Sequence, residues 1–270
     1  MKKLIQRLYY RINNRVLDYR YKVNKNAGLC FAYYLIMSII PICSLFAFFA
    51  SILNVDLGTL EQLLKNYLTP EFSNIIIASL KSSHITLSSI IILFISLFVV
   101  SRGINQLYGI SKNLFPSAHQ RNIIIEQLLM LLKTIAVFVL LLLIISILTI
   151  IPLINYFINF KDILVLGDLY LFLVFFIILF LLYKIIPDVH VHIFDIVKGA
   201  FCSSILMLIL LSALEFYFSI ADYTSVYGPL ASVIMISFSL IAETIFIGMY
   251  IMFEAHMKRL IIEMKKNNHS

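Results

Sequence analysis

TIAVFVLLLLIISILTIIPLINYFINF, residues 134–160, decides the fold class: 27 consecutive positions without a charged side chain. A helix needs about 20 mostly apolar residues to cross a hydrocarbon core. In hydrocarbon every backbone N–H and C=O must be satisfied within the protein, which leaves helices or a closed barrel. The apolar–polar alternation of a barrel strand is absent, so the stretch reads as a membrane-spanning helix.

Working outward, the same signature repeats. No charge occurs between Lys25 and Asp56, Lys81 and Arg102, Lys133 and Lys161, Asp168 and Lys184, Lys198 and Glu215, or Asp222 and Glu243. These gaps predict six spans, near 28–53, 83–101, 128–152, 169–186, 199–220 and 230–255. Composition agrees. Of 270 residues, 61% are hydrophobic and 13% charged, against about 45–50% and about 25% in a soluble domain. A soluble monomer and a disordered chain are both excluded on this balance. Cys30, Cys43 and Cys202 sit in apolar runs and form neither a CxxC pair nor a disulfide framework.

The net charge of +7 is informative through its distribution. Seventeen of the 21 Lys and Arg residues fall on one side of a six-span arrangement, leaving Lys65, Lys81 and Lys161 opposite and Lys133 inside the third span. Lys and Arg concentrate in cytoplasmic loops, so both termini are expected in the cytoplasm. The charge therefore reads as an orientation signal, and no nucleic-acid partner is expected.

Residues 1–26 form a basic N-terminal segment, 27–257 a single transmembrane domain and 258–270 a basic tail. Leu4, Leu8, Ile12 and Val16 recur at i+4 with Arg7, Arg11 and Arg15 between them. That spacing predicts an amphipathic helix lying on the inner membrane surface. Residues 54–82 are the longest outward connection; Leu57, Leu60, Leu64 and Leu68 follow helical spacing until Thr69-Pro70 breaks it.

Four short motifs occur in order. The first span carries Ala32-Tyr33-Tyr34, Ser38 and Pro41, and the second ends Ser101-Arg102-Gly103-Ile104-Asn105-Gln106-Leu107-Tyr108. The fourth ends Leu182-Tyr183-Lys184-Ile185-Ile186-Pro187, followed by Asp195 and Gly199-Ala200, and the sixth is preceded by Tyr223-Thr224-Ser225-Val226-Tyr227-Gly228. Over roughly residues 25–257 the chain resembles the YihY/BrkB family of bacterial inner-membrane proteins. It departs from the family pattern near Phe253-Glu254-Ala255, and it has no Trp. The resemblance implies a multi-pass protein of the bacterial plasma membrane. It also implies a transporter of lipids or lipid-linked envelope precursors. An older family label, ribonuclease BN, is generally regarded as mistaken.

Charges inside spans are costly and mark candidate sites. Glu243 lies near the middle of the sixth predicted span and Glu215 toward the outer end of the fifth. They are candidates to line a polar cavity, carry protons or bind a cationic group; the alternative is a hydroxyl partner on a neighbouring helix. Lys133 and Glu254 are expected to snorkel to the interface. Arg102, with Asn105 after it, sits where the second span ends and can pair bidentately with phosphate or act as a positive-inside anchor. Pro41 kinks the first span and frees a carbonyl; Tyr227 marks an outward turn, as an interfacial anchor or a gate.

Asp188, His190, His192 and Asp195 share a predicted solvated loop. His190 and His192 are the weak candidates for metal binding, so no metal site and no cofactor are expected. The chain contains no GxxxxGK[ST] and no GxSxG, and it is not read as an enzyme. The sequence thus predicts an all-α integral membrane protein that transports or flips an amphipathic or anionic envelope molecule. Membrane lipids, with anionic head groups at the cytoplasmic face, are its expected partners, and an oligomer is compatible with this reading. A membrane ribonuclease and a non-catalytic envelope scaffold are the alternatives.

Overall fold

The computed structural model describes residues 2–38, 87–115, 122, 124–137, 139, 164–220 and 227–267. Among these, all regular structure is helical. The helices are α1 (Lys2–Lys22), α2 (Ala27–Ser38), α3 (Leu87–Leu114), α4 (124–137), α5 (Leu164–Ile185), α6 (Ile193–Ile220) and α7 (Tyr227–Asn267). Two of them contain stretches long and apolar enough to cross a bilayer, Ile193–Tyr217 and Val233–Lys266. Pro41, Cys43, the connection 54–82 and most of the span expected at 128–152 lie outside the described residues.

The helices do not stop where the charge-free runs stop. α3 continues from 101 to Leu114 because the pattern changes from uniformly apolar to amphipathic. Ile104, Leu107, Tyr108, Ile110 and Leu114 remain buried at helical spacing while Arg102, Asn105 and Lys112 point outward. Arg102 is therefore inside a continuous helix, not at its end. α6 starts before Gly199, with Asp195 in its first turn, where a carboxylate opposes the positive end of the helix dipole. This corrects the placement of Asp195 in a loop. α7 likewise runs past 255 into the expected tail, as far as Asn267.

The described core centres on α5, α6 and α7. Gly199 and Ser203 of α6 face Gly248 of α7; a Cβ at Gly199 would lie 2.6 Å from the Gly248 carbonyl oxygen and 2.9 Å from Met252 Cβ. A Cβ at Gly248 would collide with the Tyr183 hydroxyl. Small residues let helices in apolar surroundings approach closely enough for polar contacts between backbones and side chains. Two such contacts follow. Ser203 Oγ donates to the Thr244 carbonyl at 2.7 Å, and the fully buried Tyr183 of α5 donates to the Ile245 carbonyl at 2.7 Å. Phe246, Met249 and Met252 fill the space around the crossing.

Other hydroxyls are satisfied within their own helices. Thr134, Ser204 and Ser237 donate to carbonyls four residues back, at 2.7, 2.7 and 2.8 Å. Edge-to-face rings join α2 to α7 (Phe31–Phe246, centroids 5.7 Å), the residue just after α3 to α7 (Phe115–Phe253, 5.4 Å) and α5 to α6 (Phe172–Phe201, 5.5 Å). The outward surface is apolar, with Leu171, Ile209, Phe216 and Ile236 all exposed, as a lipid-facing surface requires.

Gly199→Ala should therefore destabilise the protein in detergent by about 1–3 kcal/mol, because overpacking separates two backbones. Gly109→Ala is the control: nothing lies within 4 Å of its added Cβ, and Ala is favoured over Gly in a helix by roughly 0.8–1.0 kcal/mol. Thermal unfolding of both variants checks the contrast.

Candidate functional site

Glu243 lies on the α7 face that also carries Tyr250 and Glu254, positions i, i+7 and i+11. Its partner comes from α1: the Tyr19 hydroxyl donates to Glu243 Oε2 at 2.6 Å. Gly28 opens α2 against the same carboxylate, and a Cβ there would lie 2.7 Å from Glu243 Oε1. The side chain is thus held from two directions by the N-terminal forty residues, and by a tyrosine that no spanning neighbour supplies. Glu243 lies within the apolar stretch Val233–Lys266 of α7.

The contacts continue along the two helices. Tyr250 donates to Asp18 Oδ2 at 2.7 Å, with Glu254 Oε1 3.3 Å from the same hydroxyl. Lys22 pairs with Asp18 at 3.0 Å and sits 4.3 Å over the Phe253 ring. Arg15 and Lys258 flank Glu254 at 3.6 and 3.5 Å, and the Tyr19 and Tyr250 rings meet edge-to-face at 5.5 Å. Burial raises the Asp18 pKa, but the Tyr250 hydroxyl and the Lys22 ammonium outweigh it and hold the carboxyl below its ordinary value. Burial, reinforced by the bond to Glu243, pushes the Tyr19 phenol above its ordinary value.

This docking gives α1 a partner within the protein. The row Leu4, Leu8, Ile12 and Val16 is followed by Tyr19 and Val23, while Val16 itself is exposed. Tyr19 contacts α7 and Val23 is buried; the side chains of Leu4, Leu8 and Ile12 lie outside the described residues. Glu254, expected to snorkel, belongs to the same network.

Lys133 is paired as well. It is buried, donating to the Ile186 carbonyl and to Asp188 Oδ1 at 2.7 Å, and it lies 4.5 Å over the Tyr108 ring. Tyr108 donates to the other Asp188 oxygen. Asp188, placed by sequence in a solvated loop, instead joins α3, α4 and the turn after α5. Asp195 is buried and bound bidentately by Arg259, at 2.8 and 3.0 Å. His190 is exposed; His192 stacks on Phe194 and accepts its backbone N–H at 3.3 Å. Among the described residues no three His, Cys, Asp or Glu side chains gather as metal ligands.

Arg102 and Asn105 do come together. With Phe98, Ser101, Glu126, Gln127, Met130 and Leu131 they line a cleft of 310 Å³. The Arg102 guanidinium lies 4.8 Å over the Phe98 ring, and no carboxylate among the described residues pairs with it. Glu126, the acid of the cleft, is held by Lys112 at 2.6 Å. Glu215 is not brought to Glu243. It is exposed on α6, twelve residues beyond Ser203, which contacts Thr244, and so about 18 Å further along the helix. Tyr227 opens α7, but its side chain lies outside the described residues.

A family model described as Virulence factor BrkB matches residues 22–268, and the chain belongs to that family. No curated protein and no solved structure matches it.

Lys133→Met should cost about 3–5 kcal/mol, because it removes the buried cation of an ion pair with the largely covered Asp188 carboxylate. Lys133→Met combined with Asp188→Asn should recover part of that loss. Thermal unfolding of the two variants measures it, and equal instability would argue against the pair.

Proposed function

We propose that this member of the BrkB family moves an amphipathic molecule with an anionic head group, a lipid or lipid-linked precursor, in the bacterial plasma membrane. It does so with six spans and both termini in the cytoplasm. The observation that carries the reading is the Arg102 cleft. A guanidinium offers a planar fork of donors matched to phosphate. Here it stands on α3, a helix that fixes its position, and the neighbouring acid is already occupied by Lys112. Asn105 and Gln127 add neutral hydrogen-bonding groups, while Phe98, Met130 and Leu131 supply an apolar wall. Beside the cleft Ile95, Leu128 and Leu132 are exposed, so an acyl chain can lie on the surface while its phosphate meets Arg102. Glu243, covered by Tyr19, is the carboxylate that movement of α1 would open to substrate or protons.

Arg102→Ala should reduce transport of a fluorescent phosphatidylglycerol analogue in proteoliposomes by roughly 10- to 100-fold. That corresponds to loss of one charge-assisted hydrogen-bonding group, about 1.5–3 kcal/mol. Arg102→Lys should restore only part of it, because an ammonium lacks the fork. Wild-type rates in Arg102→Ala would sink the assignment. Glu243→Gln keeps an acceptor for Tyr19 and removes the charge, so a normal rate in that variant would dismiss a proton or cation role.

A further inference from the structure

The face of α1 turned away from α7 carries a second stripe that the periodicity of its leucines does not reveal. The docking residues Arg15, Asp18, Tyr19 and Lys22 are spaced i, i+3, i+4 and i+7 and occupy one side of the helix. Tyr10, Leu17 and Tyr21, at i, i+7 and i+11, fall on the opposite side. They are 68%, 56% and 90% exposed. On α2, Leu29, Tyr33 and Met37 are also exposed, at i, i+4 and i+8.

We propose that this outer face of α1 is a docking surface for an anionic lipid bilayer, which holds α1 between the head groups and α7. Charge selects the occupant. α1 has 21 residues and seven Lys or Arg side chains, and its one acid, Asp18, is taken by Tyr250 and Lys22. Arg20, beside Leu17 and Tyr21, is exposed. Tyrosines with an apolar body and a polar tip favour the head-group level of a membrane, and basic amphipathic helices bind where anionic lipids are present. The inference stands apart from transport, since it concerns where α1 rests and not what crosses.

The chain has no Trp, so Leu17→Trp in the full-length protein gives a single reporter. The variant is reconstituted in vesicles of phosphatidylcholine alone, or of phosphatidylcholine and phosphatidylglycerol in equal parts, each with brominated phosphatidylcholine as quencher. The expected result is emission shifted to shorter wavelength and stronger quenching in the anionic vesicles, both reversed by high salt. Tyr21→Trp should behave alike, which guards against a local effect of one substitution, and adding Arg20→Glu should weaken the quenching. Water-exposed emission in both vesicle types overturns the proposal. So does equal quenching in the two, and so does a shift that follows protein-to-lipid ratio instead of lipid charge, which would assign the face to a second copy of this chain.

Discussion

The backbones of α6 and α7 meet at Gly199 and Gly248, and the described structure depends on that closeness. In an apolar surrounding the hydrophobic effect does not press helices together, so association rests on packing and on hydrogen bonds between them. At this crossing both are available because no Cβ stands in the way. Ser203 reaches the Thr244 carbonyl and Tyr183 reaches the Ile245 carbonyl, which ties α5 and α6 to one turn of α7. Glu243 is adjacent to that turn, so the site is fixed by the same contact that fixes the core.

Around this centre the charges behave as an apolar setting requires. Lys133 shares Asp188 with Tyr108, and Asp195 is clasped by Arg259. A paired charge left without its partner costs far more than the pair contributes. These pairs are therefore better understood as fixing relative positions than as large sources of stability. Arg102 differs from them. It rests on an aromatic ring, beside an acid engaged by Lys112, and no carboxylate among the described residues pairs with it.

Much of the architecture was legible in the sequence. Charge-free runs predict helices, and they locate α6 and the apolar part of α7. They miss the helix ends at Leu114 and Asn267, because an amphipathic extension carries charges and looks like a connection. Arg102 and Asn105, three residues apart on α3, share a cleft. Glu215 and Glu243 do not meet, since register between neighbouring helices is set by Gly199 and Gly248, whose effect is invisible without the crossing. The pairing of Lys133 with Asp188 was hidden because a turn rich in Asp and His resembles a solvated loop. Tyr19 was missed for the opposite reason: its segment looked complete as a surface helix, although Asp18, Tyr19 and Lys22 at i, i+1 and i+4 are a polar face in search of a partner.

The partners of Tyr19 and Lys133 are far along the chain, Glu243 at 224 residues and Asp188 at 55. A chain made from its N-terminus exposes each group long before its partner exists. Lys133 cannot reach Asp188 until the turn after α5 has been synthesised, and Tyr19 cannot reach Glu243 until α7 is half made. The bond between Tyr19 and Glu243 is thus a contact that only a nearly complete chain can make.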